Sequence, residues 1–408
     1  MNGAAPALEF DPYSETFFED PWEVYRRLRD EQPTYHHEAL GFYAVSRYAD
    51  CVEVHRDHQT FTSTKGVTLD QLRSASFAES PEAIGSIIMM DPPQHDRLRK
   101  LVNRAFTNRR IARWEPVARR VIEGLMDDLA GAGSFDVVAD LSGPFPVEVI
   151  SEILGVPSAD RQQLRHWADE MLHREVGNPF MPDSAMAAAA KLFGYLYDLT
   201  VERRAHPGDA MIDHLIAAEV EQDDGSTARL DDLDVARFAA LLAAAGAETV
   251  TKLVGNGAMT FAEHPDELER LKVDPSLAGA AVEEVLRWRA PSQYQGRYAM
   301  ADRELNGVVI PAGSPVLIVT GAANRDPRAY EDPDRFDIGR STRPGAAMPI
   351  SFGHGIHFCI GAHLARLEGK ITFTELYRRW PDLQVDLDGI RYVHMSNVAG
   401  PSSVPVTT

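Results

Sequence analysis

The strongest constraint on the fold is a long stretch of helical periodicity that runs from about residue 95 to residue 290. Apolar residues recur there at the spacing of amphipathic helices. The clearest interruptions, clusters of Pro, Gly and Asp, lie within 136–157 and 206–232. A chain of 408 residues could hold two or three average domains, but this stretch has no linker at which to divide it. We therefore expect one domain that spans residues 1–408.

Signals for β-strands lie outside this helical stretch. GFYAVSRY (41–48) alternates like a strand, and DPWEVYRRLRDEQ (20–32) before it has helical spacing. ELNGVVIPAGSPVLIV (304–319) predicts two short strands around Pro-Ala-Gly, and RYVHM (391–395) predicts another. The pattern predicts a mainly α fold with a small β portion.

Composition restricts the environment and the partners. The N-terminus has no basic region followed by an apolar one, so we expect no signal peptide. The most apolar run, FAALLAAAGA (238–247), is shorter than the roughly 18 residues that a membrane span needs. Two cysteines do not form a disulfide framework, which favours a reducing cytoplasm. The formal net charge of −20 argues against non-specific binding to nucleic acid.

One basic segment departs from this acidic balance. Residues 97–113, RLRKLVNRAFTNRRIAR, contain no acid. Their basic residues are Arg97, Arg99, Lys100, Arg104, Arg109, Arg110 and Arg113. The segment is either a solvated helix face or a docking patch for an acidic partner.

Cys359 lies in the sequence FGHGIHFCIGAHLAR (352–366), directly before a helical pattern. Three glycines surround it: Gly353, Gly355 and Gly361. Glycines permit positive φ and let a flat, bulky group approach the backbone closely. At a helix N-terminus, the macrodipole and the free N–H groups favour a thiolate. The loop therefore predicts a cysteine that acts as a nucleophile or as a metal ligand.

The chemistry around Cys359 narrows these choices. His357 is two residues away, which is a poor geometry for the base of a cysteine hydrolase. Zinc would need more ligands, and the other cysteine, Cys51, lies in RYADCVEVHRD, where we expect a small core residue. A single thiolate on the iron of a haem fits one lone cysteine. The alternative is a structural loop around a buried cysteine.

The spacing Phe352-Gly353-x-Gly355-x-His357-x-Cys359-x-Gly361 resembles the haem-binding loop of the cytochromes P450, the haem-thiolate monooxygenases. The resemblance covers nearly the whole chain and is to the soluble bacterial type. It implies the single-domain P450 fold, a helical body with minor antiparallel sheets, and haem b with Cys359 as the iron ligand. It also implies that Phe352, Gly353, His357 and Gly361 lie against the haem.

Glu284-Val-Leu-Arg287 resembles the Glu-x-x-Arg helix of the same family. On a helix these two residues are close enough to pair. The resemblance implies that the pair is buried and that it holds the later loop with Phe336 and Arg340 behind the haem.

Haem carries two propionates, which need cationic or hydrogen-bonding partners. By resemblance, four residues are expected to bind them, namely His95, Arg99, Arg297 and His357. His95 and Arg99 are four residues apart on a helix that is expected to begin after Pro93.

LLAAAGAETVTK (241–252) resembles the helix that borders the oxygen side of the haem in this family. The resemblance implies that Ala245 and Gly246 leave room for dioxygen, and that Glu248 and Thr249 form an acid–alcohol pair that delivers protons. The family often has Asp where this chain has Glu248. Members that use peroxide tend to replace the pair with arginine and proline, so the pair favours dioxygen and external electrons.

The resemblance also places a substrate pocket among the segments 62–88, 170–195, 291–295 and 396–400. The residues expected to line it include Ile88, Ala239, Ala243, Ala244, Gln293, Tyr294 and Val398. The small alanines predict space for a bulky, mostly apolar terpenoid, steroid, macrolide or lipid. Gln293, Gln295 and Asn397 are expected to orient it by hydrogen bonds.

Electrons must come from another protein, because two cysteines cannot hold an iron–sulfur cluster that needs four. The resemblance implies a ferredoxin or flavodoxin and its reductase, supplied by NAD(P)H. It also places the helix of Arg99 on the cysteine side of the haem, so Arg97, Lys100 and Arg104 become docking candidates.

The expected activity is insertion of one oxygen atom at a C–H or C=C bond by a cytoplasmic monomer that binds neither membrane nor nucleic acid. The alternatives are a haem-thiolate isomerase, dehydratase or peroxygenase, and a non-catalytic haem protein that senses a ligand.

Overall fold

The computed structural model describes residues 7–74, 86–106, 108–221 and 226–408. The α-helices in this part of the chain are α1 (Glu15–Glu19), α2 (Trp22–Glu31), α3 (Tyr48–Arg56), α4 (Leu69–Arg73), α5 (Gln94–Ala105), α6 (Asn108–Asp128), α7 (Pro144–Leu154), α8 (Arg161–Leu172), α9 (Asp183–Ala205), α10 (Met211–Ala217), α11 (Asp232–Glu263), α12 (Pro265–Val273), α13 (Ala278–Trp288), α14 (Thr320–Ala323) and α15 (Ala362–Arg379). A π-helix spans Val137–Ser142.

The strands are short. They are β1 (Thr34–His37), β2 (Phe42–Val45), β3 (Phe61–Thr62), β4 (Ser134–Asp136), β5 (Glu219–Glu221), β6 (Thr227–Arg229), β7 (Gln295–Ala299), β8 (Arg303–Leu305), β9 (Val308–Ile310), β10 (Pro315–Ile318), β11 (Gln384–Val385), β12 (Arg391–Tyr392), β13 (Pro401–Ser403) and β14 (Pro405–Thr407). The prediction of a mainly α protein with a small β portion is confirmed.

The helical body is organised around α11, which packs against α7, α8, α9, α13 and α15. Asp231 caps its N-terminus by accepting a hydrogen bond of 2.8 Å from the N–H of Asp234. By length and composition α11 could cross a membrane, but 72% of its most apolar window is buried inside the protein. Burial on several sides explains why it is apolar all round. The periodic stretch from 95 to 290 is mostly helical from α5 to α13, as predicted, but it also contains the short strands β4, β5 and β6, which the sequence pattern did not indicate.

The main sheet has five strands in the order β1-β2-β10-β7-β3. Its β2–β10 pair is parallel, which corrects the expectation of antiparallel sheets alone. These strands are far apart in sequence, so no hairpin imposes an antiparallel pairing. The segment 304–319 forms β9 and β10 around Pro-Ala-Gly as predicted, and its first residues add β8, which pairs with β9 as a separate hairpin. In 391–395, only Arg391 and Tyr392 form a strand.

A buried ion pair on α13 holds the chain that leads to the cysteine loop. Two nitrogens of the Arg287 guanidinium, Nη2 and Nε, donate to the Glu284 carboxylate over 2.8 and 2.9 Å. The side chains are 1% and 2% exposed, and Arg287 also donates to the carbonyls of Asn324, Pro333 and Arg335. Arg340 reaches the same Glu284 carboxylate at 3.2 Å. The expected pairing of Glu284 with Arg287 is confirmed, and the pair holds the later loop that carries Arg340, as expected.

The same helix is tied to the residues just before the cysteine loop. The Ser351 hydroxyl donates to the carbonyl of Leu286 over 2.6 Å. The Asn324 side chain donates to Ser351 and accepts from the N–H of Ile350. Residues 350–351 are thus held directly on α13.

Glu284→Ala should lower the free energy of unfolding by about 3–5 kcal/mol, because it leaves Arg287 and Arg340 buried without a carboxylate. Chemical denaturation and the haem content of the purified protein measure the effect. The control is Glu23→Ala, which removes an exposed i,i+3 pair with Arg26 and should leave both quantities unchanged. A stable, haem-replete Glu284→Ala protein would contradict the structural role.

Candidate functional site

The loop around Cys359 is tightly folded by its own backbone. The N–H of Cys359 donates to the carbonyl of Phe352 over 2.8 Å. Gly353 and Gly355 both have φ of 72°, a conformation that favours glycine. A Cβ atom on Gly355 would lie 2.7 Å from the carbonyl oxygen of His55, so a side chain there would also clash with α3. These requirements account for the first two glycines of the motif.

Cys359 lies three residues before α15, which begins at Ala362 with Gly361 as its N-cap. The N–H groups of Gly361 and Ala362 and the cations Arg99 and Arg366 favour a thiolate, as expected. Burial has the larger effect, however, and raises the pKa of the Cys359 thiol. The helix terminus thus favours ionisation as expected, but burial outweighs its effect. A positive partner such as a metal ion is needed to hold the thiolate.

Two elements bring cationic and donor side chains to the cysteine loop. On α5, the ring of His95 lies 4.6 Å from the ring of His357, and Arg99 donates to the carbonyl of Phe358 over 2.5 Å. On β7, Arg297 is buried and donates to the carbonyl of Gly296. The helix predicted to begin after Pro93 begins there. The four residues assigned to the propionates thus lie around one loop.

The electrostatics of this cluster reflect an excess of positive charge. Burial, followed by the charges of Arg297, His95 and Arg99, lowers the pKa of His357 to about 2. Burial lowers the pKa of Arg297 to about 10, against the opposing effect of Asp91. His357 is therefore neutral at physiological pH, and the cluster is suited to an anionic ligand.

The residues present fit a haem. The Nε2 atoms of His95 and His357 are buried and have no hydrogen-bond partner, and two carboxylates beside Arg99 and Arg297 would satisfy such donors. Within the described residues, no three His, Cys, Asp or Glu side chains converge as metal ligands. A single cysteine beside this cationic cluster suits a metal that brings its own equatorial ligands, as in the haem-thiolate proteins.

One face of α11 remains accessible within the helical body. Leu241, Ala245 and Thr249, spaced by four residues, form an accessible stripe on an otherwise mostly buried helix. The Thr249 hydroxyl donates to the carbonyl of Ala245 over 2.9 Å. Glu248, beside Thr249, is 3% exposed, and its Oε2 lies 3.2 Å from Nζ of Lys252. The acid and the alcohol are adjacent, as expected, but only Thr249 belongs to the accessible stripe.

The structure gives other small residues of α11 a packing role. A Cβ atom on Gly246 would lie 3.2 Å from Ile150 on α7, so this glycine permits close packing of two helices. Ala239 has no exposed surface, and Ala243 and Ala244 are buried in the same core. Ala239 therefore does not line a pocket, contrary to expectation. Leu241 was missed, although its spacing from Ala245 and Thr249 was visible in the sequence.

The amides that were expected to orient a substrate bind the protein instead. Gln293 donates to the carbonyl of Ala290 and accepts from the hydroxyl of Tyr25. Gln295 donates to Ser292 and accepts from Thr320, and Asn397 donates to Ser292 and to the carbonyl of Tyr294. The expectation that these amides are available for a ligand is wrong, because they are hydrogen-bonded to other segments of the protein.

The other residues expected in the pocket are spread over neighbouring elements. Tyr294 has no exposed surface, and its hydroxyl accepts from the N–H of Leu69. Val398 is buried and forms an isolated bridge with Ser292, whereas Ile88 is partly exposed beside the main core. Residues 75–85 of the expected loop lie outside the described residues.

The docking candidates lie on α5, the helix that also provides His95 and Arg99. Lys100 is exposed, and Arg97 is partly exposed. The side chains of Arg104, Arg109 and Arg110 are outside the described part of the structure. Phe358, which accepts the hydrogen bond from Arg99, is itself exposed next to Cys359. Lys100 thus lies on the surface near the cysteine loop.

Comparison with known proteins identifies the family. The model of the family described as Cytochrome P450 matches residues 276–382. Cytochrome P450 123 of Mycobacterium tuberculosis is 41% identical over 402 residues, which are 98% of this chain and 97% of that protein. The vitamin D(3) 25-hydroxylase of Pseudonocardia autotrophica is 39% identical over 98% of this chain and 96% of that protein. A structure of a mutant of P450 EryK in complex with erythromycin B has a TM-score of 0.84 at 38% identity and covers 95% of both chains.

The chain therefore belongs to the cytochrome P450 family and is of the bacterial type. It is an enzyme, a P450 monooxygenase, as its named relatives are hydroxylases or monooxygenases. Its cofactor is haem b, and electrons from NAD(P)H reach it through redox partners.

Cys359→Ser should abolish the thiolate-type Soret band of the dithionite-reduced carbon monoxide complex, because a serine oxygen cannot replace the sulfur ligand. Cys51→Ser should keep this band. Cys51 is fully buried on α3 and its sulfur lies 3.4 Å from the carbonyl of Val45, where a hydroxyl can also donate. Loss of the band in Cys51→Ser, with retention in Cys359→Ser, would reverse the ligand assignment.

Proposed function

We propose that this P450 inserts one oxygen atom from O₂ into a bulky, mostly apolar small molecule, by hydroxylation or epoxidation. The observation that carries the proposal is the accessible stripe of α11. It combines apolar side chains, Leu241 and Ala245, with the hydroxyl of Thr249, next to the buried Glu248. Apolar surface selects an apolar substrate, and the acid–alcohol pair supplies protons.

The proposed substrate class follows from which side chains are free to contact a ligand. Because Gln293, Gln295 and Asn397 are hydrogen-bonded to other residues of the protein, few polar groups are available to orient a polar molecule. Two relatives are named for, or bound to, vitamin D(3) and erythromycin B, which are large and mostly apolar compounds. We therefore favour a steroid-like or macrolide substrate, with terpenoids and lipids as further candidates.

We assign the site residues as follows. Cys359 is the iron ligand, and His95, Arg99, Arg297 and His357 hold the propionates. When bound, the haem supplies the oxidation chemistry, and a thiolate ligand donates electron density that favours O–O cleavage. Thr249 presents a hydroxyl at the accessible stripe and Glu248 supplies it with protons. This pair favours a monooxygenase over a peroxygenase, an isomerase, a dehydratase or a ligand sensor.

We further propose that an acidic ferredoxin, or a flavodoxin, docks on the surface that carries Lys100. A positive patch on a chain of net charge −20 would steer an acidic partner to this one face. Phe358, exposed beside Cys359, accepts a hydrogen bond from Arg99 of α5 and offers an apolar contact. Arg97 and Arg104 are further candidates in the same segment of sequence.

Neither Cys51 nor Cys359 is in a disulfide, which suits a reducing cytoplasm. We propose that the enzyme works there as a monomer, without binding nucleic acid or membrane.

Thr249→Ala should retain ligand binding and haem reduction, yet lower the product formed per NAD(P)H consumed by roughly tenfold, because the hydroxyl no longer guides protons. The lost electrons should be found as hydrogen peroxide or excess water. Thr249→Ser keeps a hydroxyl and should restore most of the yield. Equal yields in all three proteins would assign proton delivery to another group.

Lys100→Glu should slow ferredoxin-supported reduction of the haem by roughly tenfold at low ionic strength, with a weaker salt dependence than in the unmodified protein. Stopped-flow absorbance measures this rate. Lys191→Glu makes the same charge change at an exposed position of α9 and should not alter it. Reduction by dithionite should be the same in all three proteins. An unchanged rate at every salt concentration would make the patch an ordinary solvated helix face.

A further inference from the structure

Glu248 is in contact with a second carboxyl group, that of Asp169 on α8, and the two share a hydrogen bond. Of the two side chains, only that of Asp169 is partly exposed. The side chain of Asp169 is 33% exposed, whereas that of Glu248 is 4% exposed. Two carboxyl groups in direct contact can form a hydrogen bond only when one of them carries a proton.

The hydrogen-bond inventory of this pair points to a shared proton. Among the described residues, Asp169 Oδ1 and Glu248 Oε2 are both buried without a hydrogen-bond partner of good geometry. Lys252 lies 3.2 Å from Glu248, and it donates to the carbonyl of Pro401. Arg165 approaches Asp169 only to 3.7 Å, and it donates to Gln162. Lys252 therefore favours the ionised form of Glu248 and leaves the proton between the two acids to Asp169.

The electrostatics assign the proton to Asp169. Burial, the hydrogen bond with Glu248 and the charge of Glu248 raise the pKa of Asp169 to about 9. Burial also opposes ionisation of Glu248, but Lys252, the hydrogen bond from Asp169 and Arg165 outweigh it and lower the pKa of Glu248. At neutral pH, Asp169 is the donor and Glu248 is the ionised acceptor.

The positions of the two acids define a direction for proton movement. Glu248 is enclosed and cannot exchange protons readily with water, whereas Asp169 has exposed surface. Glu248 is followed in α11 by Thr249, whose hydroxyl lies on the accessible stripe. Insertion of one oxygen atom from O₂ consumes two electrons and two protons and releases one water, so each turnover draws protons through this region.

We propose that Asp169 is the proton-relay partner of Glu248, to which it delivers protons from solvent during turnover. Asp169 passes its proton to the ionised Glu248, Glu248 then releases a proton towards Thr249, and water reprotonates Asp169. The relay rests on the proposed monooxygenase function. The existence of the protonated acid does not.

The first test is infrared spectroscopy of the haem-loaded ferric protein without substrate. At pH 7 the protein should show a carbonyl stretching band of a protonated carboxyl that shifts in D₂O, and the band should disappear only at alkaline pH, because the pKa of Asp169 is raised. Asp169→Asn should remove this band. Glu170→Gln, a change at the exposed neighbour on α8, should keep it. Glu368, a buried acid whose pKa is also raised, should contribute a second band in every variant.

The second test measures oxygen consumption driven by NADPH through a ferredoxin and its reductase, in H₂O and in D₂O. Asp169→Asn should slow it by roughly tenfold and enlarge the solvent isotope effect. Asp169→Glu should restore much of the rate, and Glu170→Gln should match the unmodified protein. A purely structural pair would predict no change in the isotope effect.

The outcomes separate the two proposals. If Asp169→Asn keeps the infrared band, or keeps both the rate and the isotope effect, the relay is overturned. If the unmodified protein consumes no oxygen although the band is present and removed by Asp169→Asn, the monooxygenase function fails and the relay fails with it, while the protonated acid stands.

Discussion

The Glu284–Arg287 ion pair is the interaction on which the position of the cysteine loop depends. Neither charge has access to water, so both must find all their partners within the protein. They do so by gathering Arg340 and the carbonyls of three residues from the connection between α14 and the cysteine loop. Because Ser351 is also bonded to α13, the same helix fixes the start of the loop that ends in Cys359.

The cysteine side of the site brings together side chains of like positive charge. Arg99 and Arg297 come from α5 and β7, at the start and after the end of the helical stretch, and Arg297 is buried whereas Arg99 is half-buried. Burial, together with the charges of these two guanidinium groups, lowers the pKa of His357. A haem, with two carboxylates, relieves the repulsion between these like charges, so binding of the cofactor and stability of this region are coupled.

The two sides of α11 serve different purposes. Most of its surface is packed against other helices, and small residues such as Gly246 let α7 approach. The accessible stripe of Leu241, Ala245 and Thr249 is not covered by these helices. Glu248 lies between these two surfaces, where burial, Lys252 and the carboxyl of Asp169 control its charge. A proton route that begins on α8 thus becomes possible without any polar residue on the accessible stripe other than Thr249.

The class of fold and the local chemistry around Cys359 follow from the amino-acid sequence alone. Helical periodicity predicted α5 to α13, and the spacing of glycines around Cys359 predicted a turn of positive φ before a helix, because both depend on neighbouring residues. The family resemblance assigned His95, Arg99, Arg297 and His357, and the structure brings them together. Contacts between distant segments, in contrast, depend on the tertiary structure. The parallel pairing of β2 with β10, the engaged amides of Gln293, Gln295 and Asn397, the burial that raises the pKa of Cys359 and the meeting of Asp169 with Glu248 all arise when helices and strands pack. Burial and hydrogen-bond partners are properties of that packing, and no local spacing encodes them.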